Sequence, residues 1–99
     1  MNTAYFYLTD EGGKLAHKLA TAHPGDIYNK ENFKENLRAG FGKYDSLVCI
    51  MATGIVVRIL APLIVHKTSD PAVVVLDQKG KHAISLLSGC LLYTSDAAD

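Results

Sequence analysis

The residues best suited to binding chemistry lie in the middle of the chain, directly after an apolar segment. Thr53 and Gly54 separate residues 47–52, which carry no charge, from an apolar helix that begins at about Ile55. Such a turn leaves backbone N–H groups at the helix start without partners, and these groups can bind an anion. Arg58, about one turn later, can add a bidentate contact to a carboxylate. A plain core element, with Arg58 paired to an acidic residue of its own chain, explains the same pattern.

Two further turns are candidates for ligand contact. Ser88 and Gly89 end a later predicted strand with small residues, as the central turn does, so the two turns could frame one site. Thr9, Asp10 and Gly12 lie between the first predicted strand and the first helix, where helix capping is the simpler interpretation.

Residue spacing reveals neither a nucleophile nor a metal site. No Ser-His-Asp or Cys-His arrangement is evident, so the catalytic residues are unknown at this point. Cys49 lies in the most apolar segment and is typical of a small core residue, and with Cys90 as the only other cysteine we expect no disulfide scaffold. The four histidines lack metal-ligand spacing, and we predict no metal: His17, His23, His66 and His82.

Composition narrows the class of protein. The chain has 99 residues, 48% of them hydrophobic, and ten basic residues balance ten acidic ones. This length suits one domain or one fragment, and the balanced charge argues against nucleic acid or an anionic membrane as partner. The N-terminus lacks the features of a signal peptide, and the longest apolar run, 55–65, is too short to span a bilayer. We therefore expect a cytoplasmic protein.

Hydrophobic patterning predicts an α/β domain organised around residues 44–64. Because residues 47–52 show neither charge nor alternation, they favour a central strand covered by helices on both faces. The predicted elements are strand 4–8, a helix to about 22, short strand 26–28, helix 30–39, strand 47–52, a helix from 55, strand 72–77 and return strand 82–87.

Caps and turns complete this prediction. Thr9, Asn29 and Thr53 are expected as helix N-caps, and Gly40 as a left-handed C-cap. The last two strands are expected to form an antiparallel hairpin, because a glycine-containing turn separates them. The fold class is therefore a three-layer α/β domain with a mixed, mainly parallel sheet flanked by helices.

An ordered set of motifs extends over most of residues 1–89. The motifs are residues 44–48 (YDSLV), 52–63 (ATGIVVRILAPL), Lys67, residues 70–77 (DPAVVVLD), Gly80 and residues 84–89 (ISLLSG), preceded by residues 9–12 (TDEG). Together they resemble the N-terminal domain of the CbiG family, the cobalt-precorrin-5A hydrolases of anaerobic cobalamin biosynthesis. The resemblance implies opening of the lactone of cobalt-precorrin-5A and release of acetaldehyde, giving cobalt-precorrin-5B, with the remaining domains of the full-length enzyme as partners. It implies no resident cofactor, because the cobalt comes with the substrate.

The implied substrate is a flat macrocycle with many carboxylate groups, which needs an apolar surface rimmed by donors. Thr53, Gly54 and Arg58 suit that need best, and Ser88 and Gly89 are the second candidates for substrate binding.

The last ten residues depart from the family pattern. Where the family continues with His-Leu-Gly-Gly-Ala-Asn and a helix, this chain has CLLYTSDAAD at residues 90–99. The run can be written in codons that match a transposon-end adapter used in sequencing libraries. We therefore expect a family domain at 1–89, truncated, and a non-native tail at 90–99. The missing helix would have packed on the strand that ends at Leu87, so we expect marginal stability and no activity from this chain alone.

Two alternatives remain open. The strand-glycine-helix turn by itself is also typical of a non-catalytic α/β module that binds an anion or a nucleotide, although neither GxGxxG nor GxxxxGK[ST] is present. The domain could also serve its enzyme only as an interaction or lid element, with catalysis elsewhere.

Overall fold

A computed structural model of the chain describes residues 2–64 and 70–88. In chain order the elements are β1 (Thr3–Tyr7), α1 (Asp10–Ala22), β2 (Asp26–Tyr28), α2 (Phe33–Phe41), β3 (Ser46–Ile50), α3 (Thr53–Leu60), a short 3₁₀ helix (Ala61–Leu63), β4 (Ala72–Leu76) and β5 (Ala83–Ser88). The predicted strands and helices are therefore all present, with ends that differ by a few residues.

The five strands form one sheet in the order β2-β1-β3-β4-β5. β1 pairs in parallel with β2 and β3, and β3 pairs in parallel with β4. β5 returns antiparallel to β4. The predicted mixed, mainly parallel sheet is confirmed, and so is the central position of the strand that contains Cys49. The strand order changes direction between β1 and β3, as in doubly wound α/β folds.

The sheet is covered on both faces, which confirms the three-layer prediction. On one face, inward residues of β1, β3 and β4 pack against α2 and α3: Ala4, Phe6, Leu47, Cys49, Val73 and Val75 meet Phe33, Leu37, Phe41, Val56, Ile59 and Leu60. On the other face α1 covers a smaller cluster: Tyr5, Ile50 and Ala16, with Leu15, Leu19 and Val48 around them. Neighbouring residues of each strand thus serve opposite layers, which explains the unbroken apolar pattern of β3.

The boundaries of α2 differ from the prediction. Asn29 does not cap it; its side chain accepts a hydrogen bond from the N–H of Glu31 at 2.9 Å, and the helix starts after Asn32. Gly40 lies inside the helix rather than at a left-handed C-cap, and the chain leaves through Gly42 at φ −98°. The helix continues because Phe41 follows the apolar stripe of the preceding turns into the core.

One part of the sheet is less well covered by the described residues. β5 lies at the edge, and its Ile84 is 49% exposed on the α3 side of the sheet. An apolar groove of about 110 Å³ lies along β5. Leu86 and Leu87 of β5 form one side, and Val57 and Ile64 form the other. This surface lies where the sequence prediction placed a missing helix.

Two glycines provide a matched test of packing at the edge of the sheet. A Cβ at Gly25 would overlap the carbonyl oxygen of Thr3 and lie 3.0 Å from the Thr3 carbonyl carbon, whereas a Cβ at Gly42 would meet no atom within 4 Å. Neither glycine has a positive φ. We expect Gly25→Ala to lower the free energy of unfolding by about 1–3 kcal/mol and Gly42→Ala to change it by less than about 0.5 kcal/mol. Chemical denaturation measures both, and equal values would contradict the packing argument.

The exposed apolar groove predicts limited stability for the 99-residue chain alone. We expect a thermal transition at low temperature and self-association, because the groove offers apolar surface and, among the described residues, no strand pairs with the outer edge of β5. Ile84→Thr, which retains a β-branched side chain, should reduce self-association with a change in unfolding free energy below about 0.5 kcal/mol. Circular dichroism and size-exclusion chromatography test this; a cooperative, high-temperature melt of a monomer would count against it.

The thiol of Cys49 should report on opening of the core. Burial within the sheet raises its pKa to about 12, which disfavours the reactive thiolate at pH 8. In a Cys90→Ser variant we expect Ellman's reagent to modify Cys49 only as the protein unfolds, with a rate that rises with denaturant. Immediate stoichiometric labelling of the native protein would show that β3 is not buried as described.

Candidate functional site

A cleft of about 310 Å³ opens where β1, β3 and β4 end. Its lining comes from the residues that complete or follow these strands: Leu8, Thr9, Ile50, Met51, Ala52, Ile55, Asp77 and Gln78. Ligands of doubly wound sheets bind outside the carboxyl ends of the strands, at the point where the strand order reverses. This edge includes the β1–β3 reversal, so the cleft is the candidate site that the topology favours.

The start of α3 forms one side of the cleft. Ala52 is the N-cap residue, in extended geometry, and has no side chain that could cap the helix. Thr53 is already the first helical residue, so the prediction of Thr53 as N-cap is wrong. The N–H of Ile55 donates a hydrogen bond of 3.1 Å to the carbonyl of Ala52. The N–H groups of Thr53 and Gly54 come before this first bond of the helix and have no side-chain cap. These are the donors that an anion could use.

The start of α1, at the same edge, has a side-chain cap and two acidic residues, Asp10 and Glu11, in its first turn. Thr9 is the predicted N-cap, and its Oγ1 accepts a 3.0 Å hydrogen bond from the N–H of Gly12. The carbonyl of Thr9 accepts another from the N–H of Gly13 at 2.8 Å. The predicted capping role of Thr9 is confirmed. Of the two helix starts, α3 is better suited to bind an anion, because its first turn carries no acidic residue, whereas that of α1 carries two.

A polar bridge joins the outer two of the three strand ends. The hydroxyl of Thr9 donates a hydrogen bond of 2.8 Å to Oε1 of Gln78. Asp77, next in the chain, is engaged in its own turn, because its Oδ1 accepts from the N–H of Lys81 at 2.8 Å and of His82 at 3.0 Å. The backbone hydrogen bond from His82 is the main cause of a lowered pKa at this carboxyl group. Asp77 is therefore a poor proton acceptor for catalysis.

Arg58 lies on the outer side of α3. The sheet-facing residues of that helix are Val56, Ile59 and Leu60, and at 100° per residue Arg58 and Gly54 fall on the opposite side. Arg58 is exposed, and no ion pair joins it to an acidic residue of the described ranges 2–64 and 70–88. Four residues of helix separate it from Gly54 by about 6 Å along the axis, so its long side chain can reach an anion at the helix start from outside.

The second predicted turn lies elsewhere. Ser88 pairs with Ala72, the first residue of β4, whereas Ile50, just before the α3 turn, pairs with Leu76, the last residue of β4. The two ends are about 13 Å apart along the strands. The prediction that the two turns frame one site is wrong, because β5 runs antiparallel and ends at the amino edge of its neighbours. Gly89 lies outside the described residues.

Motif residues Tyr44 and Asp45 belong to that amino edge, where they have structural contacts. The Tyr44 hydroxyl donates to the carboxylate of Asp26, and burial raises the pKa of this phenol. The Asp45 carboxylate accepts a 3.0 Å bond from the N–H of Asn2, and the carbonyl of Asn2 accepts from Asp45 and Ser46 in return. These bonds hold the start of β1 against β3, far from the cleft.

The described histidines, His17, His23 and His82, form no metal-binding group. Nδ1 of His17 lies 2.8 Å from the carbonyl of Gly13 on α1, the backbone of His23 accepts a bond from the hydroxyl of Tyr5, and His66 lies outside the described residues. Within residues 2–64 and 70–88, no three side chains of His, Cys, Asp or Glu are placed to hold a metal ion. In the same ranges, no helix has both the length and the apolarity to cross a membrane.

Sequence reasoning did not select most of the cleft. Leu8 and Met51 fall within predicted strands, Ile55 within a predicted helix, and Gln78 in the predicted turn between the last two strands. The signal that could have found them was the parallel arrangement itself, since residues that directly follow parallel strands meet at one edge. Applied to the predicted strands 4–8, 47–52 and 72–77, this rule leads to Thr9 and Gln78.

Comparison with known proteins gives the family. A family model described as cobalamin synthesis G N-terminal matches residues 35–99. The chain is 45% identical over 98 residues to a curated cobalt-precorrin-5A hydrolase of Salmonella typhimurium, covering 87% of this chain and 28% of that protein. It is 51% identical over 49 residues to a cobalt-precorrin-5A hydrolase of Priestia megaterium, covering 50% of this chain and 13% of that protein. The chain thus spans under a third of the length of either relative.

A solved structure agrees in fold. The crystal structure of a cobalamin biosynthesis protein G homolog from Sulfolobus solfataricus superposes with a TM-score of 0.74 at 22% identity, over 89% of this chain and 29% of that one. Since the family model matches more than half of its residues, the chain belongs to the cobalamin synthesis G N-terminal family.

Proposed function

We propose that this chain is the N-terminal part of a cobalt-precorrin-5A hydrolase of cobalamin biosynthesis and that its cleft binds one edge of the substrate. The observation that carries the proposal is the 45% identity to the Salmonella typhimurium enzyme over nearly the whole chain. In this proposal the complete enzyme opens the substrate lactone and releases acetaldehyde, giving cobalt-precorrin-5B, as the motif resemblance implies. The cobalt is part of the substrate.

The size of the cleft supports a partial role in binding. About 310 Å³ is at the lower end of the range that holds a drug-sized ligand, so a corrin-type macrocycle cannot enter it whole. The cleft suits an edge of the ring with one carboxylate arm. Its floor, with Leu8, Ile50 and Ile55, is apolar, as the ring requires, and the start of α3 supplies donors for the arm.

The donors at α3 act together in this proposal. The N–H groups of Thr53 and Gly54 bind the carboxylate, and the guanidinium of Arg58 approaches it from the outer side of the helix. Ser88 lies at the other edge of the sheet and is not part of this cleft.

The catalytic base belongs elsewhere in the complete enzyme. Opening a lactone needs a base that activates water and donors for the developing oxyanion. Among the described residues that line the cleft, only Asp77 has a carboxylate, and it is held by the turn it caps. This part of the chain therefore binds and orients the substrate, while the rest of the polypeptide supplies the proton acceptor.

Substitutions at α3 in a full-length enzyme of the family test the site. Thr53 occupies the first helical position, which tolerates proline, and Ala52 before it has the extended geometry that proline requires. Thr53→Pro should therefore keep the helix but remove one N–H donor, and we expect weaker binding of cobalt-precorrin-5A by about fivefold or more, while Thr53→Ala stays close to wild type. Arg58→Ala should weaken binding by about tenfold or more.

Titration with cobalt-precorrin-5A and product formation provide the readout. Arg38→Ala, an exposed arginine on α2, is the matched control and should bind as the wild type does. Unchanged binding and turnover in both Thr53→Pro and Arg58→Ala would remove the site from the proposal.

A further inference from the structure

The bridge between Thr9 and Gln78 spans three strand ends. β3 lies between β1 and β4, so residues that follow the outer two strands are separated by about 10 Å of sheet. Their side chains nevertheless meet at 2.8 Å, across the carboxyl end of β3. Both residues line the cleft.

The Thr9 end of the bridge is held by α1. Its Oγ1 accepts from the N–H of Gly12 while its hydrogen goes to Gln78, so the hydroxyl is used as acceptor and donor at once. A Cβ at Gly12 would lie 3.2 Å from this Oγ1 and 3.3 Å from Cγ2 of Ile50. The helix start is thus packed closely on the strand ends, which leaves Thr9 little freedom to move.

The Gln78 end is held by the turn between β4 and β5. Asp77 closes this turn with four hydrogen bonds. Its carboxylate accepts one each from the N–H groups of Lys81 and His82. Its carbonyl accepts from the N–H of Gly80 at 2.9 Å, and its own N–H donates to the carbonyl of His82 at 3.2 Å. Gly80 has a φ of +72°, and a Cβ there would lie 3.2 Å from Cδ2 of Leu15 on α1. The turn therefore rests against the same helix that Thr9 caps.

We propose that Thr9 and Gln78 form a clamp that fixes the width of the cleft, and that both are positioning residues for the substrate edge bound there. This proposal rests on the proposed function. Each partner is anchored independently, so the hydrogen bond joins two rigid supports and holds the ends of β1 and β4 at a set separation. In the free protein the bond is exposed. A bound ring edge covers it, lowers the local dielectric and strengthens it, so the clamp acts most when substrate is present.

Substitutions in the full-length enzyme separate the clamp from the helix cap. Gln78→Leu removes the acceptor and leaves the cap of α1 intact, whereas Thr9→Val removes both bonds and Thr9→Ser keeps both. We expect Gln78→Leu to raise KM about five- to tenfold with little change in kcat or thermal midpoint. Thr9→Val should raise KM by the same factor and also lower the thermal midpoint, and Thr9→Ser should restore wild-type values. The double variant Thr9→Val, Gln78→Leu should show no larger rise in KM than either single one.

A readout without substrate distinguishes the clamp from the proposed function. The N–H of Met51 bonds to the carbonyl of Leu76 at 3.1 Å, at the end of β3 that the bridge crosses. Its hydrogen exchange should accelerate in Gln78→Leu and not in Lys79→Ala, the neighbouring control. One contrary outcome is faster exchange in Gln78→Leu together with an unchanged KM in Gln78→Leu, Thr53→Pro and Arg58→Ala. It would overturn the proposed function and the positioning role and leave only a structural bridge. If Gln78→Leu keeps wild-type exchange and KM while Arg58→Ala binds substrate more weakly, the clamp alone is overturned. Additive rises in KM in the double variant would also overturn the clamp.

Discussion

Burial of β3 on both faces is the constraint on which the other elements depend. Leu47 and Cys49 are fully buried on the α2–α3 side, and Ile50 is 2% exposed on the α1 side. A strand in this position needs partners on both edges and a helix layer on each face, and parallel neighbours joined by helical crossovers satisfy that need. The same arrangement brings the carboxyl ends of β1, β3 and β4 together. The cleft is therefore a direct consequence of how the chain buries its most apolar segment.

Hydrophobic pattern predicted the elements well because each pattern reflected a single local cause. The uncharged run around Cys49 identified the central strand, and the glycine turn before His82 identified the hairpin. The limits of α2 were less predictable. Asn29 has the side chain of an N-cap, yet it closes a separate turn at Glu31, and the helix extends to Phe41 because that ring enters the core. Local propensity marks where a helix can begin or end, and tertiary packing chooses among those positions.

The site was harder to predict because it depends on strand direction rather than on residue type. Small residues after a strand occur both at the α3 turn and at Ser88, and composition treats them alike. The predicted hairpin already implied that β5 runs against β4, and pairing of Ser88 with Ala72 shows the result, a terminus at the amino edge. Gln78 presents the opposite case. As a glutamine in a turn it has no distinctive signal, and only the parallel order of β1, β3 and β4 places it beside Thr9.

The two helix starts at this edge differ in whether the residue before the helix supplies a side-chain cap. Before α1, Thr9 supplies a side chain that satisfies the helix and reaches Gln78, so its hydrogen-bonding capacity is spent within the fold. Before α3, Ala52 supplies none, and the amides of Thr53 and Gly54 have no side-chain cap. An uncapped start costs about 1 kcal/mol relative to a Ser, Thr or Asp cap. In the proposed function, the carboxylate of the substrate offsets that cost, because it provides the acceptor that the cap residue lacks. The sequence thus caps one helix of the cleft wall internally, and in the proposed function the substrate completes the other.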